Sequence, residues 1–274
     1  MSSEHTVIVT SYNQPTTLRL VLEGLRRQSE LNFDVAIADD GSDPDTKEML
    51  DEFAVDSPFD IRFCTQEDKG FRKSRALNNA IRMSDADYYY FLDGDCIPQQ
   101  HWLRRYRRAF RRGFDFSTST YITLDLETTK ALAPAQVADG SFERFATSDK
   151  LARARRAHAR QLFYRAIFYR RARIRGGNWA CSAAALEAVN GFDENFENFG
   201  KEDSDIRNRL INAGFRPLCQ WSTNWAAHCH HDVDPRRVRP EVQRKAPDLE
   251  YYVSRKTAKL CQRGLRNLDA PSSP

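Results

Sequence analysis

The chain of 274 residues carries 29% charged and 41% hydrophobic residues and a net charge of +4, a globular composition large enough for one α/β domain or two small ones. Its apolar runs fall far short of the 18 residues a membrane-spanning helix needs, and Met1-Ser2-Ser3-Glu4-His5 lacks the basic start of a signal peptide. Cys64, Cys96, Cys181, Cys219, Cys229 and Cys261 form no C-x-x-C pair, so they read as buried free thiols and the expected location is the cytoplasm.

In chain order, His5–Thr10 is a β-branched strand and Ser11–Pro15 a turn. Leu18, Val21, Leu22 and Leu25 recur at helical spacing, which predicts a helix over 16–28. Phe33–Ala38 is a second strand and runs into Asp39-Asp40-Gly41-Ser42. A helix over 44–54, a strand over 61–64 and a helix over 75–83 follow. The fourth strand, Tyr88–Leu92, runs straight into Asp93-Gly94-Asp95. Strands alternating with helices at this interval imply βαβ units and a mostly parallel sheet with helices on both faces. Ligands of such sheets bind beyond the carboxyl ends of the strands. There, two hard oxygen donors suit a divalent cation and its phosphate ligands; the same residues also read as a plain Asp-Gly turn.

Residues 99–112 read as a helix, with six arginines in 104–112, and 114–125 as a strand. Residues 130–172 are a helical excursion; nine arginines and no acid fall within 151–175. Such clusters suit phosphate, nucleic acid or an anionic membrane surface, or simply a solvated helix face. Past Gly176-Gly177, a helix spans 182–189. Ile206, Leu210 and Ile211 mark another, ending at Asn212-Ala213-Gly214. Glu202 and Asp203 sit at its start, where the helix dipole favours ionised carboxylates. Trp221–Ala227 is extended and leads into His228-Cys229-His230-His231. Residues 233–268 are basic, with helix expected near Leu249–Leu265.

Four blocks in the first hundred residues together resemble a GT-A fold glycosyltransferase of family 2. They are Val7–Pro15, Ala38–Ser42, Gln66–Ile81 and Phe91–Pro98. The resemblance implies a nucleotide-sugar donor, most simply a UDP-sugar. Asp39 would accept from the uracil N3–H, Tyr12 would stack on the base, and Thr10 would bond the ribose or base edge. Phe71 would form the pocket wall, Arg72 and Lys73 would face the diphosphate, and Asp93, Gly94 and Asp95 would complete the nucleotide site. It also implies Mn²⁺ or Mg²⁺ held by Asp95 and a histidine, with Asp93 touching ribose or metal. His228 is the first choice and His230 the second, since strand alternation puts both on one face.

Gly176-Gly177, Asn190-Gly191-Phe192 and Gly200-Lys201-Glu202-Asp203 resemble the C-terminal half of galactosyltransferase-type enzymes and of bacterial chondroitin-polymerase modules. By that resemblance Asp203 is the catalytic base and Glu202 an acceptor-positioning partner. Asn178, Trp179 and Phe199 join Glu202 at the acceptor; Phe199 replaces the tryptophan those enzymes often carry. An aspartate is already ionised at neutral pH, so positioning rather than pKa tuning is expected to matter.

The expected organisation is a nucleotide-sugar half (1–115), an acceptor and catalytic half (116–232) and a basic helical extension (233–274). The expected activity is inverting, metal-dependent transfer to a glycan or lipid-linked glycoconjugate hydroxyl, with the arginine-rich segments touching the inner membrane face. A sugar-phosphate nucleotidyltransferase is the alternative, but Ser11–Thr17 lacks the Gly- and Lys-rich triphosphate loop it needs. A nucleic-acid-binding module would use the arginines with Phe163, Tyr164, Phe168 and Tyr169. No recognition motif accompanies them, so no nucleic acid partner is expected.

Overall fold

The computed structural model describes residues 3–168, 176–197, 200–231 and 247–268. Phe199, the arginines of 169–175 and the basic stretch 233–246 lie outside the described residues. The first half is built as the periodicity predicts: β1 (His5–Ser11), α1 (Pro15–Arg26), β2 (Asp34–Asp39), α2 (Pro44–Ala54), β3 (Ile61–Thr65), α3 (Lys73–Arg82) and β4 (Tyr88–Asp93). Pro15 and Pro44 open their helices, where a missing N–H goes unnoticed.

β2, β1 and β4 bury both faces, and the period of two divides their side chains between two cores. Val7, Val9, Val35, Ile37, Tyr90 and Leu92 pack against α1, α2 and α4 (Trp102–Arg111). Ile8, Ala36, Ala38, Tyr89 and Phe91 face the other way, against α3, α8 (Ala183–Ala188) and α9 (Glu202–Asn212). Helices therefore cover both faces of a seven-stranded sheet of order β3-β2-β1-β4-β8-β6-β9. β8 is Asn178–Ser182, β6 is Phe116–Thr118 and β9 is Pro217–Cys219. Four of the neighbouring pairs are parallel; β8 runs antiparallel to both β4 and β6. The sheet thus continues across residue 115, and the two expected halves share it.

The predicted strand over 114–125 divides at Ser119. β6 stays in the large sheet, while β7 (Thr120–Thr123) joins a second sheet of order β5-β10-β7, with β5 Cys96–Pro98 and β10 Trp225–His228. This small sheet was not foreseen. Its antiparallel β5–β10 register sets His228 opposite Cys96, one residue past Asp95. The helical excursion holds α5 (Leu126–Ala131), α6 (Pro134–Ala138), a 3₁₀ turn (Ser141–Phe145) and α7 (Ser148–Phe168). Near the C-terminus the helix covers only Pro247–Ser254, shorter than the expected 249–265. Irregular chain from Arg255 to Leu268 returns against α9 and α3, through bonds such as Asn212 Nδ2 to Ala258 O and Arg82 Nε to Leu265 O.

Candidate active site

The carboxyl ends of β1, β2 and β4 open into a cleft of about 360 Å³. Register explains its floor. Thr10 pairs with Asp93 across β1 and β4, so Thr10 Oγ1 donates to Asp93 Oδ1 at 2.9 Å. Lys73, the first residue of α3, donates to the same oxygen at 2.5 Å. With two donors on Oδ1, Asp93 is chiefly the counter-ion of Lys73. That carboxylate and those of Asp203 and Glu202 push the Lys73 ammonium well above its ordinary range against the penalty of burial.

Asp95 sits at the other corner. The Cys229 amide donates to the Asp95 carbonyl at 2.8 Å, locking the end of β10 beside it. His228 Nε2 lies 3.7 Å and His231 Nε2 3.2 Å from Asp95 Oδ2. Asp95, Cys96 and His228 offer ligand atoms within 4.8 Å of one another. Burial and the Asp95 charge push the Cys96 thiol well up, so it stays protonated and is no ligand for a hard cation. The expectation for His230 needs correcting. β10 ends at His228, so strand alternation does not reach residue 230. The chain turns, His230 is exposed with its amide bonded to Thr129, and His231 faces the cleft instead.

The wall facing Asp93 carries Glu202 and Asp203 on the first turn of α9. Lys201, just before it, takes the left-handed conformation (φ 84°), which a non-glycine residue adopts at some strain. Among the described residues, Asp203 Oδ1 and Glu202 Oε2 are buried with no hydrogen-bond partner. Burial, then the neighbouring Asp203 charge, push Glu202 up to about 8. Burial and the Asp93 charge raise Asp203 as well, opposed by Lys73 and Arg207. Burial thus tunes both acids, so the expectation that positioning outweighs tuning leaves out a contribution of the site itself. Gly176 and Gly177 let these acids approach: a Cβ at Gly176 would stand 2.0 Å from Asp203 Oδ2, and one at Gly177 2.1 Å from Asp93 Oδ2.

Of the expected nucleotide residues, Thr10, Tyr12, Phe71, Lys73, Asp93, Gly94 and Asp95 line the cleft. Asp39 does not. Both its oxygens are taken up by its own turn and by β3, from the amides of Gly41 and Ser42, the Ser42 hydroxyl, and Thr65 Oγ1 at 2.8 Å. Asp40 lines the cleft in its place; its Oδ1 accepts from Gln66 Nε2 at 2.6 Å and its Oδ2 from the Arg72 amide at 2.9 Å, so its position on the cleft rather than a free oxygen sets it apart from Asp39. Arg72 points away, bonding the Glu67 carbonyl. Asn178 and Trp179 are buried in the sheet rather than placed at an acceptor. Asn178 Oδ1 accepts from Trp102 and Tyr106, and Trp179 stacks on Phe91. Tyr121 was missed, and His231 was only the third of the histidines that the sequence left open as metal ligands, behind His228 and His230. Tyr121 stands 5.2 Å from the His228 ring, and its hydroxyl accepts from the Gly177 amide at 2.8 Å. Nothing in its local sequence marks it, because β7 is positioned by long-range pairing.

Sheet order, helices on both faces and a carboxylate-lined cleft at the strand ends define the GT-A class of α/β fold. A family model described as glycosyl transferase family 2 matches residues 6–188, more than half the chain. A second, described as the N-terminal domain of galactosyltransferase, matches residues 156–252. The chain belongs to glycosyl transferase family 2. It is 25% identical over 256 residues to the chondroitin synthase of Escherichia coli, covering 84% of this chain and 34% of that protein. It is 34% identical over 101 residues to the hyaluronan synthase of Pasteurella multocida, covering 36% of this chain and 10% of that protein. The chain thus spans about a third or less of these relatives. Among solved structures, S. aureus TarS 1-349 in complex with UDP-GlcNAc superposes with a TM-score of 0.61 at 15% identity, covering 86% of this chain and 60% of that one. Mannosyltransferase PcManGT from Pyrobaculum calidifontis, in complex with GDP-Man and Mn²⁺, gives 0.57 at 16% identity, covering 83% and 57%.

Proposed function

We propose that this chain is an inverting, divalent-metal-dependent glycosyltransferase. It would move a sugar from a UDP-sugar to a hydroxyl of a glycan or lipid-linked glycoconjugate acceptor. The observation that carries this reading is the pair of unpartnered buried oxygens, Asp203 Oδ1 and Glu202 Oε2, in the same cleft as Asp93-Gly94-Asp95 and His228. Buried oxygens left without partners are costly, and both residues line the cleft in which the hydroxyl of an acceptor would sit.

Asp95, His228 and His231 make a carboxylate and imidazole set that fits Mn²⁺ or Mg²⁺, with the two nitrogens favouring Mn²⁺. A cation held there offsets the charge of the departing diphosphate. Lys73 adds a fixed positive charge on the same floor, bonded to Asp93. Two buried, adjacent carboxylates do not both ionise readily. Lys73 favours the charged form of both acids and Arg207 that of Asp203, so the charge is assigned to Asp203, and Glu202 keeps the proton and can donate to an acceptor oxygen. Asp203 takes the proton of the acceptor hydroxyl. That oxygen bonds to the anomeric carbon as the bond to the diphosphate oxygen breaks on the opposite face, so one displacement inverts the configuration. Asp40 replaces Asp39 as the carboxylate to accept from a uracil N3–H, beside Tyr12 and Phe71. A reducing, cytoplasmic setting belongs to this reading, supported by six buried cysteines that are all free.

The test is a thermal-shift screen of UDP-, GDP-, CMP- and dTDP-sugars with and without Mn²⁺. A Mn²⁺-dependent rise in Tm with UDP-sugars is expected. Stabilisation by nucleoside triphosphates alone would favour the nucleotidyltransferase instead.

A further inference from the structure

We propose that the outward face of α7 is a docking surface for an anionic lipid bilayer. The helix has two sharply different sides. Leu151, Ala154, His158 and Gln161 turn toward the protein; Ala154 and Gln161 are buried, and His158 Nδ1 bonds Ser222 Oγ at 2.6 Å. At 100° per residue, Arg153, Arg156, Arg160 and Phe163 fall on the opposite side, all exposed, in a stripe about 15 Å long. Leu162 and Phe163 at its end are 48% and 54% exposed, and Phe163 is the one aromatic among the large exposed hydrophobics of the described residues. The sequence holds no acid between Asp149 and Glu187, so beyond its first turn the helix itself carries no negative side chain.

Exposed arginines alone would suit any polyanion. Phe163 at the end of the stripe, with Leu162 exposed on the flank of the helix beside it, favours a bilayer, where basic side chains meet lipid headgroups and apolar ones enter the acyl boundary. No helix among the described residues is long and apolar enough to cross a membrane, so this contact is peripheral. Its position is apt. Lys150 Nζ bonds the Thr123 carbonyl at the end of β7, and the Leu124 amide bonds the His228 carbonyl, so α7 departs from the metal-binding corner of the cleft. A docked α7 would hold that corner near lipid-linked acceptors. Vesicle binding needs no donor or turnover, so the proposal stands or falls separately from the transferase reading.

The experiment is co-sedimentation of the full chain with phosphatidylcholine vesicles, with and without 30% phosphatidylglycerol, at low and high salt. Binding is expected on the anionic vesicles at low salt, lost on neutral ones and weakened by salt. At about fivefold per basic residue, Arg156→Gln/Arg160→Gln should weaken partition about 25-fold. Phe163→Ser should weaken it too, and no variant should change Tm or turnover of a soluble acceptor. Equal binding to neutral vesicles, no pelleting at all, or wild-type binding by the double variant would overturn the proposal. So would binding to dextran sulfate without binding to anionic vesicles, which would assign the stripe to a soluble polyanion.

Discussion

Glu202 and Asp203 are adjacent in sequence yet have different expected tasks, and substitution separates them. Asp203→Asn removes the base while keeping the shape of the cleft. Turnover should fall by about 10²–10⁴, with UDP affinity by calorimetry within a factor of two or so. Turnover near wild type would remove Asp203 from the mechanism. Glu202 gives a stability signature. Its ordinary value is 4.5, and burial with the Asp203 charge pushes it up to about 8 in the fold. Between those values the folded protein holds a proton that the unfolded chain has released, so stability falls as pH rises through the window. The penalty is absent below 4.5 and complete above 8. Glu202→Gln should therefore raise Tm by a few degrees at pH 8.5, at roughly 2–4 °C per kcal/mol for a chain of this size. The gain should shrink toward pH 4.5; a larger gain at the acid end would contradict the assignment. The histidines offer a third comparison. His231→Ala should raise the Mn²⁺ concentration for half-maximal activity by at least about tenfold, and His230→Ala should leave it unchanged. The reverse result would restore the alternation argument.

At the scale of elements, α9 is the part that must stay put, since it presents both acids on its first turn. Arg209 and Asp205, one turn apart on its inner face, are 0% and 1% exposed and joined at 2.7 Å. Arg209 also bonds the carbonyls of Val189 and Gly191 at 2.6 and 2.7 Å, tying α9 to the end of α8. Removing one partner of such a pair leaves an uncompensated buried charge. Arg209→Leu is expected to cost on the order of 3–5 kcal/mol in urea denaturation; a change below 1 kcal/mol would show the network to be idle. The elements also show what local sequence could reveal. β1 to β4 and their helices follow from short-range periodicity and turn residues, and the Asp-Gly-Asp end of β4 from its place at a strand terminus. The split at Ser119 does not, because it depends on β6 and β7 pairing with strands some sixty to a hundred residues further on.

Across the whole molecule, the cleft gathers residues from 10–14, 38–40, 71–76, 93–95, 121, 176 and 202–203, together with 228 and 231, onto one edge. The family resemblance pointed to most of these segments, but not to their relative orientation. Whether Asp39 or Asp40 faces the ligand turns on the register of β2 against β3. Whether His230 or His231 meets Asp95 turns on where β10 ends. Asn178 and Trp179 were expected at the acceptor by the family resemblance, yet β8 carries them inward between β4 and β6. Such outcomes belong to tertiary pairing, and no window of local sequence holds them.

The central claim is a single-displacement transfer from a UDP-sugar in this cleft. The most direct measurement is product analysis after incubation with UDP-sugars, Mn²⁺ and a panel of glycan acceptors, following the released nucleotide by phosphorus NMR and the new linkage by proton NMR. UDP release, loss of release on chelation, and a glycoside of inverted anomeric configuration are expected. Release of pyrophosphate, or a product with retained configuration, would contradict it.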